Sequence, residues 1–236
     1  TLKETYNRIL NDLEEAKNLL PAALSNLERS RPNKLAAYAM LARVNLAIRN
    51  YDVAEKYADS LLKDYNSLID FNTISQSAAV PFLRINDEVL YQANLFSGSP
   101  IMVRLVLTNG YAVDTLLYKS FQDNDLRKQI YFTSTGNVKG SYTDRYRFSG
   151  LATDEVYLIR AECLARKGDL VGALKDLNDL TRKRWKVVNG VSTFTDFQAT
   201  TADEALKIIL AERRKELVFR GLRWTDLKRL NKEGAN

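Results

Sequence analysis

The 236-residue sequence predicts a mainly α-helical fold carrying an irregular, partly β insertion. Three observations carry that prediction. Apolar residues recur at helical spacing toward both ends of the chain. A helix pair near the start matches a later pair at a constant offset of 119 residues. Between about residues 66 and 153 the helical period gives way to glycines, short β-branched runs and aromatics.

Taken in order, residues 1–20 place Tyr6, Ile9, Leu10, Leu13, Ala16 and Leu20 on one face, and Pro21 closes the segment because its ring cannot continue a helix. Ser30-Arg31-Pro32-Asn33 opens a second helical run, Lys34 to Arg49, rich in alanine and leucine, and a third runs from Asp52 to Tyr65. So short a turn makes the two antiparallel neighbours. Tyr38, Ala42, Ala54 and Leu61 correspond to Tyr157, Ala161, Ala173 and Leu180, each 119 residues on, and the turns Asn50-Tyr51-Asp52 and Gly168-Asp169-Leu170 occupy like places. These pairs resemble tetratricopeptide hairpins, whose small alanines let helices approach, but the usual period of about 34 residues is missing. The pattern predicts one domain over 1–236, with helical pairs at 1–65 and 154–236 flanking an insertion at 66–153. Within the insertion, 88–93 and 102–107 read as strands, and 111–121 is open between helix and strand.

A last long helix starts near Thr201 or Asp203, either of which can cap it, and Gly221 stands where a left-handed residue would end it. Leu206, Ile209, Leu210 and Leu217 form its apolar arc, with Arg213 in the middle. A guanidinium there is expected to be buried and paired with a carboxylate, for which Glu212, Glu216 and Asp226 are nearest.

The string Glu212-Arg213-Arg214-x-Glu216-Leu217-x-x-x-Gly221-x-Arg223-Trp224-x-Asp226-Leu227-x-Arg229 resembles the C-terminal signature of the SusD/RagB family, surface glycan-capture lipoproteins of the Bacteroidetes outer membrane. Phe121-x-x-Asn124-Asp125-x-Arg127 is similar to a second, shorter family motif. The charges of both motifs (Glu212, Arg213, Glu216, Arg223 and Asp226, with Asp125 and Arg127) are read as structural ion pairs, Asp125 and Arg127 stabilising a turn. The resemblance spans essentially the whole chain and implies the C-terminal portion of a protein about twice as long, so an N-terminal half is expected to be absent. It further implies a cell-surface, outer-membrane location, a SusC-like TonB-dependent transporter as partner, an oligosaccharide or other nutrient as ligand, and membrane attachment only through a lipid anchor outside this chain.

Composition narrows the chemistry. Net charge is +6 and the pI about 9.3, but the basic residues are interleaved with acids along helices, so nucleic acid is not an expected partner. Cys163 has no disulfide partner, and no apolar run reaches the ~20 residues of a membrane helix. Histidine is absent, which removes the commonest general base, and there is no phosphate loop, dinucleotide fingerprint or paired-cysteine metal site. Neither a cofactor nor an enzymatic activity is expected. Aromatics in the insertion are the informative class, because sugars are held by ring stacking beside polar groups. Tyr142 and Tyr146, with Asp144 and Arg145 between them, are the first candidates for an exposed platform, and Phe96 and Tyr111 the next. Trp185 and Trp224 read as packing anchors. Two other readings stay open: a tetratricopeptide-type protein-interaction module, and a surface glycoside hydrolase using a pair from Asp123, Asp125, Asp144, Asp154 and Glu155.

Overall fold

The structure is a computed structural model describing residues 1–22, 29–94, 112–139, 142 and 148–233. Helix α1 (Leu2–Leu19) starts at a capping box in which Thr1 and Glu4 satisfy each other's backbone N–H groups. Helices α2 (Lys34–Ala47) and α3 (Tyr51–Asp64) form the first hairpin, with Asn33 capping α2 through the Ala36 N–H. Among the described residues the insertion then supplies a short 3-10 turn (Phe71–Thr73), β1 (Val89–Tyr91), α4 (Thr115–Ser120), α5 (Arg127–Tyr131) and β2 (Leu151–Ala152). The second hairpin is α6 (Thr153–Lys167) and α7 (Leu170–Arg182).

The two hairpins begin 119 residues apart at both of their helices, Lys34 against Thr153 and Tyr51 against Leu170. Ala42, Ala54, Ala161 and Ala173 are all fully buried, which lets α2 pack on α3, α6 on α7, and α3 on α6. Even the turns correspond: Arg49 (φ 65°) and Gly168 (φ 90°) hold equivalent left-handed positions. Glycine takes that conformation without cost, whereas arginine does not. Leu41, Leu61, Leu158, Ile159, Leu177 and Ile209 fill the core between the hairpins. Cys163 lies in it, and burial pushes its thiol up to about 12.

The insertion is sealed at its base by β1 and β2, antiparallel with Val89 opposite Ala152. Gly150 permits that closure, since a Cβ there would sit 2.0 Å from the Tyr91 carbonyl oxygen. The expected strand over 88–93 is thus shorter than predicted, and the one over 102–107 lies outside the described residues. The ambiguous 111–121 segment resolves into helix α4, capped by Asp114. A second core gathers Phe71, Phe82, Phe121, Tyr131, Phe132, Tyr142 and Phe148, largely in edge-to-face pairs.

After α7 comes a small hairpin, β3 (Val187–Val188) and β4 (Val191–Ser192), turned by Asn189 and Gly190, both at positive φ. Helix α8 (Ala202–Glu216) is capped by Thr201 and packs on α6. It stops well short of Gly221. The expected C-terminal stop is corrected: Phe219 (φ 59°) and Gly221 (φ 77°) instead steer a turn into α9 (Arg223–Asn231). Trp224 is no packing anchor either. It is 68% exposed, because the buried face of α9 carries Asp226, Arg229 and Leu230 and the second residue of the helix points away from it. Among the described residues no helix is long and apolar enough to cross a membrane.

Candidate functional site

A buried seam of charge ties the C-terminal helices to the insertion. The guanidinium of Arg127 donates from Nε and Nη2 to Asp125 (2.9 and 2.7 Å), from Nη2 to Glu212 (2.6 Å) and from Nη1 to Glu216 (3.0 Å). Glu216 also accepts from Arg184 Nε at 2.8 Å, and Arg184 Nη2 reaches Glu88 at 2.7 Å. Glu88 accepts the hydroxyl of Tyr142 and the Ile69 N–H, and that same hydroxyl lies 3.2 Å from Asp154. Arg220 pairs with Asp154 and covers the rings of Tyr142 and Phe148. A second branch runs from Arg213 through Asp226 (2.9 Å) and Arg229 (3.0 Å) to Glu162 (2.5 and 2.7 Å) on α6.

The electrostatics follow from burial and partner count. Burial opposes ionisation of Glu216, yet Arg184 and Arg127 outweigh it and hold its carboxyl below the usual range. Asp226 is held low in the same way by Arg213 and Arg229. Glu88 goes the other way: burial, reinforced by Asp154 and Glu216 nearby, prevails over Arg184 and pushes it up to about 7.

Several sequence expectations meet this geometry. Arg213 is buried and paired with Asp226, while Glu216 serves Arg127 and Arg184 instead. Asp125 and Arg127 make more than a local turn pair, since Arg127 also reaches residues 85 and 89 positions away. Arg223 is corrected: it is exposed, and among the described residues no carboxylate pairs with it, so it stands outside the lock. Tyr142 is corrected as well. Its ring is buried edge-on against Phe82 and Phe148, and its hydroxyl is committed to Glu88, so it offers no exposed platform. Phe96, Tyr111, Asp144, Arg145 and Tyr146 lie outside the described residues. Of the acids considered for hydrolysis, Asp125, Asp154 and Glu155 are buried in pairs with Arg127, Arg220 and Arg43. Sequence reasoning missed Glu88, Arg184 and Arg220, which carry no local signal because their ion-pair partners are 32 to 96 residues distant.

The insertion presents a polar cleft of about 650 Å³ lined by Gln76, Tyr118, Asp123, Lys128, Gln129, Phe132, Thr133, Ser134 and Lys139. Tyr118 is half-buried, its ring edge-on to Phe132 at 5.8 Å between centroids. Lys139 donates to the Gln76 and Gln129 carbonyls at 2.6 and 2.9 Å, joining the two walls. A ring wall beside amides, hydroxyls and ammonium groups is the chemistry that binds a polyhydroxylated ligand. Among the described residues no group of three or more carboxylate or cysteine side chains is placed to hold a metal ion.

Comparison with known proteins finds that residues 126–236 match the model of the SusD family, and residues 1–46 match a model described as starch-binding, associating with outer membrane. SusD-like protein P2 of Formosa agariphila is 26% identical across 96% of this chain and 56% of its own length. A SusD-like protein of Bacteroides fragilis shares the fold at a TM-score of 0.74 and 20% identity, over 97% of this chain and 60% of that one. Two Bacteroides vulgatus structures are each 26% identical: a SusD superfamily protein (TM-score 0.69; 95% of this chain, 54% of that one) and a putative sugar binding protein (TM-score 0.65; 92% and 51%). The chain therefore spans roughly half to three-fifths of the length of these relatives.

Proposed function

Because the chain belongs to the SusD/RagB family, we propose that it binds oligosaccharide non-catalytically at the bacterial outer membrane, holding glycan for delivery to a SusC-like TonB-dependent transporter. The observation that carries the ligand assignment is the insertion cleft, with the Tyr118 ring set among Gln129, Thr133, Ser134 and two lysines. The sugar-binding description of one B. vulgatus relative supports it. Phe96, Tyr111, Asp144, Arg145 and Tyr146 belong to the same insertion and are retained as candidates for extending that surface. Catalysis by a carboxylate pair is disfavoured, since Asp125, Asp154 and Glu155 are each neutralised by an arginine. The peptide-groove alternative is disfavoured because the hairpin helices give much of their surface to the larger core.

Calorimetric titration with a panel of neutral oligosaccharides tests the reading. One stacked ring is worth about 0.5–1.5 kcal/mol beyond its buried area, so Tyr118→Ala weakens binding up to roughly tenfold, with Gln129→Ala losing a smaller factor. A glycan that binds both variants as tightly as the parent removes the cleft from the assignment.

A further inference from the structure

A second groove, of about 440 Å³, lies between α4, the end of α8 and the start of α9. Its apolar wall includes Leu117, Leu217 and Val218, and the exposed Trp224 stands at its edge. Three guanidiniums line it, those of Arg213, Arg214 and Arg223. Only two carboxylates accompany them: Asp114, 3.7 Å from Arg214, and Asp226, which Arg213 already shares with Arg229. Arg213 is more than nine-tenths buried, and its Nη1 has no hydrogen-bond acceptor. Helix α9 also opens into the groove with Leu222 at its cap, which supplies no side-chain acceptor to the first-turn N–H groups. The positive end of the helix dipole and an arginine with one unsatisfied nitrogen thus both border the groove. Partial desolvation of the exposed Arg223 and the nearness of Arg214 both weaken its hold on the proton, so these two cations crowd each other.

We propose that this groove binds a ring bearing a single carboxylate, the oxyanion at the start of α9 beside Arg213 and Arg223 and the ring face against Trp224. Three cations against two acids leave room for one more negative charge, and the apolar wall disfavours a bare inorganic anion. A hexuronate unit of a glycan and a free aromatic acid share this chemistry. The hexuronate source rests on the glycan reading above; the aromatic source does not.

Trp224 provides the readout. In a Trp185→Phe background it is the only indole, and its fluorescence is titrated with glucuronate, methyl glucoside, phenylacetate and phenylacetamide at constant ionic strength. Saturable change with at least one acid and none with its neutral counterpart is expected. Arg223→Gln, at an exposed position that circular dichroism will show to be folded, weakens that binding roughly tenfold, and Asp114→Asn strengthens it. Binding of glucuronate identifies the glycan source, and binding of phenylacetate alone identifies the free acid. Equal responses to acid and neutral ligand, unchanged affinity in Arg223→Gln, or no saturation by about 10 mM overturns the proposal. Neutral oligosaccharide binding at the Tyr118 cleft is measured on the same variants, so a failure here is distinguishable from a failure of the glycan reading.

Discussion

The two cores of this molecule are held by different physics. Between the hairpins, small alanines and aliphatic side chains bring α2, α3, α6 and α7 together, and buried polar residues there such as Asn45, Thr181 and Asp176 bond within their own helix or to the adjoining one. Around the insertion, an aromatic cluster sits on a buried lattice of arginines and carboxylates running from Asp125 to Asp154. The first is a packing problem that neighbouring turns of helix solve locally. The second orients a mostly irregular segment with hydrogen-bonded pairs drawn from distant parts of the chain. Such pairs add little net stability over an apolar replacement, yet losing one member is costly, which makes the seam the more brittle of the two.

That contrast is sharpest at Arg127, which serves three carboxylates at once. Arg127→Met leaves Asp125 without its cation and takes one partner each from Glu212 and Glu216, which keep Lys215 and Arg184, and urea titration should show a loss of about 3–5 kcal/mol. In the hairpin core the corresponding injury is overpacking: Ala161→Leu, where no space exists, is expected to cost about 1–3 kcal/mol by the same measurement.

A smaller effect distinguishes the regions by pH. Glu88 ionises at about 7 in the folded chain against 4.5 in the ordinary case, so between those values the folded state holds the proton more tightly than the unfolded one. Its contribution to stability is therefore present below about pH 4.5, declines as pH rises toward 7, and is lost above that. Glu216 and Asp226 act oppositely, their stabilisation being lost as pH falls through their depressed values. Glu88→Gln should remove the decline between about pH 5 and 7 from the stability profile, while substitutions in the hairpin core leave that slope in place. The smallest change is expected at the α2–α3 turn, where Arg49→Gly should stabilise by at most about 1 kcal/mol, since its counterpart Gly168 already occupies the same left-handed position.

The same division decides what was legible beforehand. Both hairpins, their 119-residue offset and the Thr201 cap follow from spacing and local chemistry, so they can be read without any long-range information. Arg213 was legible too, because a charge inside an apolar arc demands a partner, and Asp226 is only 13 residues away. Arg184 and Glu88 were not, because an arginine in the basic run Arg182-Lys183-Arg184 and a glutamate following Asp87 look like surface residues until the fold brings them within 2.7 Å. Tyr142 misled for the related reason that alternation with charged neighbours suggests exposure, while its hydroxyl had a buried carboxylate to satisfy. The polar cleft has no sequence signature, because its lining comes from residues 76 to 139 and none of its segments is unusual alone.

Through its pairs with Arg127 and Arg184, the C-terminal charge signature acts as an internal lock on the insertion. Native-state hydrogen exchange on Glu216→Gln tests it most directly, since Glu216 lies in α8 but bonds to Arg127 and Arg184. Amides of α5 and the 184–186 segment, which are tied by Leu126 N–H to Arg184 and Lys186 N–H to Asn124 bonds, are expected to lose protection, while those of α2 and α3 keep theirs. Equal loss across both hairpins and the insertion, or no loss in α5, would contradict it.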